Sequence, residues 1–273
     1  MSAVAITSEF TTLKSRLKDT WMAGDYDRFS RYMEHDAREF YERLNVAPGC
    51  RLLDVACGSG QLALLAAQDG VNVTGVDIAT NAIERARARA QAAGLPARFE
   101  EADAEDLPFE DATFDVVTSL IGAMFAPRPE LVAQELLRVC APGGTIAMAN
   151  WTPQGFVGQM FKTIAKFIAP SGMPSPLLWG DEATVRERLG PGVSSLNLTR
   201  RYYTFNYPFT PTEVVDFFLC YYGPTNRAFA SLDQDGQKKL FCELENLWST
   251  CNLAGCGLTV VTAEYLEVIA TRA

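Results

Sequence analysis

Leu53-Asp54-Val55-Ala56-Cys57-Gly58-Ser59-Gly60 is the stretch that decides the fold. Leu52 to Val55 is a short apolar strand and Gln61 to Gln68 an apolar helix, so the glycine-rich turn between them marks a strand passing into a helix. At such a turn, Gly58 and Gly60 carry no side chain, and the backbone can approach a ligand closely. The helix from Gln61 turns its positive end toward the same spot, which favours a carboxylate.

The same pattern repeats outward from this turn. Val71 to Val76 is a second strand ending at Asp77, and Thr80 or Asn81 can cap a helix that Gly94 ends. Ala97 to Ala102 is a third strand and Phe114 to Ser119 a fourth. Pro129 starts a helix running to Cys140. Pro142-Gly143-Gly144 then turns the chain into a fifth strand, Thr145 to Asn150. This alternation predicts a Rossmann-like, mostly parallel sheet of seven strands with helices on both faces. The last two strands are Leu196 to Tyr207 and Leu258 to Ala270, which can pair antiparallel at one edge.

Before the first strand, residues 1–46 read as a helical cap. Phe10, Leu13, Leu17 and Trp21 line one face; Phe29, Met33, Ala37, Phe40 and Leu44 line another. After the fifth strand come helical insertions. Val157, Met160, Phe161, Ile164 and Ile168 outline one helix, Thr210-Pro211-Thr212-Glu213 is a capping box opening a helix that Gly223 ends, and a longer helix spans Asp235 to Thr250. The proline-rich stretch 170–176 is a loop suited to a lid. No linker divides the chain. Residues 1–273 therefore read as one domain, with a cap over 1–46, a core over 47–152 and additions over 153–273.

Three carboxylates stand at successive strand ends beside the glycine turn. Asp54 can receive an amino group, Asp77 can accept from both ribose hydroxyls, and Asp103 can accept from an exocyclic adenine amine. A lone GxGxxA, here Gly58, Gly60 and Ala63, is a weak signal, but the three acids beside it suit a ligand made of an amino acid, a ribose and an adenine. The segments LLDVACGSG, VTGVDIA, EEADAEDLPF, FDVVTSL and LLRVCAPGGTIAMANW resemble, in order, the motifs of class I S-adenosylmethionine-dependent methyltransferases, over about residues 50 to 151. The similarity is greatest to the branch containing the ubiquinone and menaquinone C-methyltransferases.

This resemblance implies S-adenosyl-L-methionine as cofactor. It implies that Asp54, Ala56 and Gly58 face the methionine part, with Gly60 in the same cofactor-binding turn, that Asp77 and Ile78 hold the ribose and one adenine face, and that Asp103 and Ala104 meet the adenine edge. Ser119 would line the floor near the methyl group. Tyr26, in the cap, would line the site, with Trp21 a weaker candidate. One departure stands out: the family usually has glycine where this chain has Ala56, and the added methyl is expected to be tolerated.

His35 is the only histidine and the candidate general base. The aromatic residues after position 150 read mainly as packing, with an apolar acceptor pocket or a membrane-touching cap as the functional alternatives. The net charge of −9 argues against a nucleic-acid partner. Arg85, Arg87 and Arg89 read as a solvated helix face. The seven cysteines form no CxxC pair, so no disulfide framework or metal site is expected, and reduced, buried thiols suit a cytoplasmic protein. The first residues lack the pattern of a signal peptide, and no apolar run is long enough to span a bilayer. The expected activity is methyl transfer to a small or medium, apolar or aromatic acceptor. A nicotinamide-dependent oxidoreductase and a non-catalytic cofactor-binding protein are the competing readings. The sequence does not set the acceptor, the atom methylated or the oligomeric state.

Overall fold

The computed structural model describes residues 3–169, 172–255 and 257–273, with side chains described from Thr11 onward. The N-terminal helices are α1 (Ala3–Trp21), α2 (Tyr26–Ser30) and α3 (Glu34–Leu44). The alternating core follows as β1 (Arg51–Val55), α4 (Gln61–Gln68), β2 (Asn72–Asp77), α5 (Thr80–Ala93), β3 (Arg98–Glu101), β4 (Phe114–Leu120), α6 (Pro129–Val139) and β5 (Cys140–Trp151). Beyond it lie α7 (Phe156–Ile164), α8 (Glu182–Leu189), β6 (Val193–Tyr207), α9 (Pro211–Tyr221), α10 (Gly223–Ala230), α11 (Gln234–Cys251) and β7 (Thr259–Arg272).

The seven strands form one sheet in the order β3-β2-β1-β4-β5-β7-β6. The first five are parallel, and β7 runs antiparallel to both β5 and β6. The expected edge pairing of the last two strands is therefore present. Strand order reverses between β1 and β4, which opens a crevice at their carboxyl ends, where open α/β sheets bind ligands. β1 is buried from Leu52 to Val55 because helices cover both faces of the sheet. The helix α4 buries Leu62, Ala63, Leu64, Ala66 and Ala67, and the small alanine side chains let it lie close to the sheet.

Several local expectations need correction. The N-cap of α5 is Ala79, without a side-chain capping bond. Asp77 takes over that role by accepting from Ala79 N–H at 2.8 Å, while Thr80 donates to Glu101 at 2.5 Å. Strand β5 starts at Cys140 and runs through Pro142-Gly143-Gly144, because an irregularity in its pairing with β4 absorbs the turn. Gly223 opens α10 directly after α9, and neither α8 nor α10 showed in the pattern. The helix expected to reach Ile168 ends at Ile164. In the proline-rich loop, 170 and 171 lie outside the described residues, as does the side chain of Phe10. The capping box at Thr210 and Glu213 is present in full.

Beyond the cap, Trp179, Tyr203, Tyr207 and Trp248 are fully buried. An edge-to-face network links Phe156, Phe205, Phe218 and Trp248. Most of the late aromatics thus serve as packing. Among the described cysteines none is in a disulfide; Cys57 and Cys140 are buried, but Cys220 and Cys242 are exposed, so burial is not their common state. Arg85 and Arg87 are exposed, yet Arg87 donates to Phe99 O at 2.7 Å and Arg89 ties α5 to Glu34 at 2.8 Å. That face therefore ties neighbouring elements together as well as meeting solvent.

Candidate active site

The crevice holds a cavity of about 1120 Å³, counted out to its mouth. Its floor is built from the carboxyl ends of β1, β2, β3 and β4, and its roof from α1, α2 and α3. Asp54, Ala56, Gly58, Asp77, Ile78, Asp103, Ala104 and Tyr26 all line it.

Asp54, at the carboxyl end of β1, is 2% exposed. It accepts the Thr118 hydroxyl at 3.2 Å, and no lysine or arginine pairs with it among the described residues. Burial pushes its carboxyl up to about 7 despite that hydrogen bond. A buried carboxylate that faces a cavity and has no basic side chain paired with it is complementary to an ammonium group. Asp77 accepts from Gly58 N–H and from Ala79 N–H, both at 2.8 Å. Burial raises its carboxyl, and those two backbone bonds oppose the rise. Each of its oxygens keeps lone pairs for a further donor.

Asp103 accepts from Glu105 N–H at 2.9 Å and pairs with Lys14 of α1. Lys14 also reaches Glu105 at 2.8 Å, and the fully buried Glu105 side chain is held by Arg128 at 2.7 Å. These ions join the roof to the loop after β3 and to the start of α6. The Tyr26 ring lies 3.5 Å from the point where a side chain on Gly58 would begin. It packs edge-on to Trp21 at 5.8 Å, and Trp21 also lines the cavity. Burial raises the Tyr26 phenol above its ordinary range, and the charge of Asp77 adds to the rise.

Two non-glycine residues of the floor have left-handed backbones: Ala56 at φ 56° and Ile121 at φ 58°. The first explains why glycine suits that position in related chains, and alanine is among the smaller residues that can replace it. Gly122 follows Ile121 and packs on Ala56, where a Cβ would fall 2.6 Å from the Ala56 carbonyl oxygen.

Three expected residues do not reach the cavity. Gly60 initiates α4 in a left-handed conformation and packs toward Phe99. Ser119 is buried, donating to Val55 O at 2.8 Å and accepting from Ala123 N–H at 2.9 Å; it braces the floor from beneath. His35 is exposed and lies 3.4 Å from Glu39 on its own helix, so it is not placed to act as a base. Conversely, Lys14, Gln61, Ile121, Gly122 and Phe125 line the cavity without having been singled out from sequence, and Tyr203, one of the late aromatics read mainly as packing, lines it as well. Ile121 and Gly122 directly follow β4 at the topological switch, which was a usable signal; nothing local marked Lys14.

A family model described as a methyltransferase domain matches residues 53–148. An uncharacterised protein of Mycobacterium tuberculosis is 39% identical over 227 residues, which is 82% of this chain and 83% of that protein. The demethylmenaquinone methyltransferase of Thermus thermophilus is 36% identical over 159 residues, 55% of this chain and 72% of that enzyme. The chain belongs to the class I S-adenosylmethionine-dependent methyltransferases. A structure of the Haemonchus contortus phosphoethanolamine N-methyltransferase 2 in complex with S-adenosylhomocysteine shares the fold of this methyltransferase. The TM-score is 0.57 at 18% identity, covering 87% of this chain and 52% of that one. The methyltransferase is an enzyme, and its cofactor is S-adenosyl-L-methionine. The oxidoreductase and non-catalytic readings are set aside. No helix among the described residues is long and apolar enough to cross a membrane.

Proposed function

We propose that the methyltransferase methylates a small or medium, apolar or aromatic acceptor in this cavity. The observation that carries the reading is the mixed lining of the cavity: Asp54, Asp77 and Asp103 share it with Leu17, Met33, Ala37, Phe125 and Tyr203, which are apolar or aromatic. A concave cavity with so many apolar walls favours an apolar guest over a nucleic-acid surface.

The cofactor, when bound, supplies a methyl group on a sulfonium, electrophilic without further activation. Asp54 would hold its ammonium, Asp77 its ribose hydroxyls, and Asp103 with Ala104 the adenine edge, with Ile78 against one ring face. Ala56 and Gly58 would border the methionine part, and Tyr26 would close the roof. The protein's own contribution is then alignment and exclusion of water. Positioning of this kind can lower a barrier by about 7–11 kcal/mol. A metal or a catalytic triad is not required by that chemistry.

Titration calorimetry with S-adenosylhomocysteine tests the cofactor half, and transfer of radioactive methyl from the cofactor into a fractionated metabolite extract tests the acceptor half. Label recovered in apolar small molecules is expected; label only in protein or nucleic acid would overturn the acceptor class. Asp77→Ala should weaken S-adenosylhomocysteine binding by about 1–3 kcal/mol, and an unchanged dissociation constant would refute the ribose assignment.

A further inference from the structure

The free edge of the sheet has a feature that neither the cofactor nor the acceptor uses. Strand β6 is the outermost strand, pairing with β7 from Val193 to Tyr207, and at its far end the cap covers it. There Thr204 N–H donates to Asp36 at 3.2 Å, so the backbone of Thr204 faces away from β7. Strand alternation from Thr204 then turns the N–H and C=O groups of Tyr202, Arg200, Leu198 and Leu196 outward as well. The only irregularity in the pairing lies before them, between Val193 and Ser195. From Ser195 to Tyr202 the strand contains no proline and no lysine. Asn197, Thr199, Arg200 and Tyr202 are exposed, Tyr202 to 64%. Its two arginines are already paired within the chain: Arg200 with Glu264 at 3.3 Å and Arg201 with Glu267 at 2.6 Å. Edges of this length are normally shortened, bulged, charged or covered, because they otherwise template another strand. The opposite edge, β3, spans only Arg98–Glu101.

We propose that β6 pairs antiparallel with β6 of a second copy about a two-fold axis at Thr199, joining the two sheets into one. This register is favoured by its side chains. It sets Tyr202 across from Leu196 of the other copy, Thr199 across from its own counterpart, and Arg201 across from Asn197. Aromatic–aliphatic and Thr–Thr pairs are favourable cross-strand neighbours, and no two like charges stand directly opposite. Each outward residue finds a partner, giving roughly eight backbone hydrogen bonds. The exposed Tyr202 ring thereby gains an apolar neighbour that its own chain does not supply. The paired stretch from Leu196 to Tyr202 contributes no residue to the cavity lining, which takes only Tyr203 from β6.

The register makes the test specific. Thr199 and its counterpart would form a non-hydrogen-bonded pair, with Cα atoms about 4.5 Å apart, within the range that a disulfide spans. Thr199→Cys should therefore give a covalent dimer on mild oxidation, whereas Asn197→Cys should not. By light scattering, the unmodified protein should show twice the 29.9 kDa chain mass at about 100 μM, a concentration that detects even weak dimers. Thr199→Lys should reduce it to a single chain mass with unchanged S-adenosylhomocysteine binding and unchanged melting. Leu198→Pro, which removes an outward N–H together with a half-buried side chain, should also give a single chain mass. A single chain mass for the unmodified protein, or a dimer that survives both Thr199→Lys and Leu198→Pro, would overturn the proposal. So would equal cross-linking at positions 197 and 199. None of these readouts depends on which acceptor is methylated.

Discussion

Asp54 puts binding and folding in opposition. Its carboxyl titrates near 7 in the folded chain and near 3.8 in an exposed one. Between those values the folded state holds a proton that the unfolded state has lost, so this group makes folding less favourable as pH rises. In the cofactor-free protein, Asp54→Asn should raise the melting temperature at pH 8 and leave it nearly unchanged at pH 4, as scanning calorimetry would record. The same change should abolish tight S-adenosylhomocysteine binding. For the unaltered enzyme the sign on affinity is reversed, because an ammonium ligand selects the ionised carboxylate. Affinity should fall as pH drops below 7, approaching about tenfold per pH unit. Calorimetry at pH 6 in buffers of different ionisation heat should register proton release. A second residue-scale expectation concerns Gly122. Gly122→Ala brings a Cβ to 2.6 Å from the Ala56 carbonyl oxygen, a backbone atom that cannot swing away. It should cost about 1–3 kcal/mol in urea denaturation, and Ala56→Gly should not rescue it, since the carbonyl remains.

At the scale of elements, α1 is held over the cavity by Lys14 and Lys18, which pair with Asp103, Glu105 and Glu101. The Lys14 partners are partly or wholly shielded, with Glu105 fully buried, so Lys14 should matter more than an open surface pair. Lys14→Met should speed S-adenosylhomocysteine dissociation several-fold in stopped-flow measurements and flatten its dependence on salt. An unchanged off-rate would mean that α1 is held chiefly by its apolar face. The elements themselves were partly legible in advance. The turn at Gly58, the box at Thr210 and the cap at Gly94 are local signals, and local signals survive folding. Helices α8 and α10 escaped because their stability comes from tertiary packing. α8 is short and mostly polar, burying only Val185 and Leu189, and α10 follows α9 without a loop.

For the molecule as a whole, alternation of strand and helix over residues 51–151 predicted the parallel sheet, and the two late strands predicted its antiparallel edge. The acids at strand ends were readable because topology puts every such end on one side. What chain order does not encode is which distant segments roof that side. Lys14 and Tyr203, 189 positions apart by number, meet the same cavity only because the cap folds back over the sheet. His35 shows the converse, since a residue type suited to proton transfer still depends on where its helix points it.

The double grip of Asp77 on Gly58 and Ala79 has a consequence for motion. One carboxylate already ties the turn after β1 to the turn after β2 without any guest. The lower half of the chamber is thus set before loading, and the work of admitting a nucleoside falls to the upper half. Hydrogen–deuterium exchange should find the Gly58 and Ala79 amides slow in the empty enzyme and little changed on adding S-adenosylhomocysteine, while amides of α1 slow markedly. Loading would then resemble shutting a hatch over a finished mould.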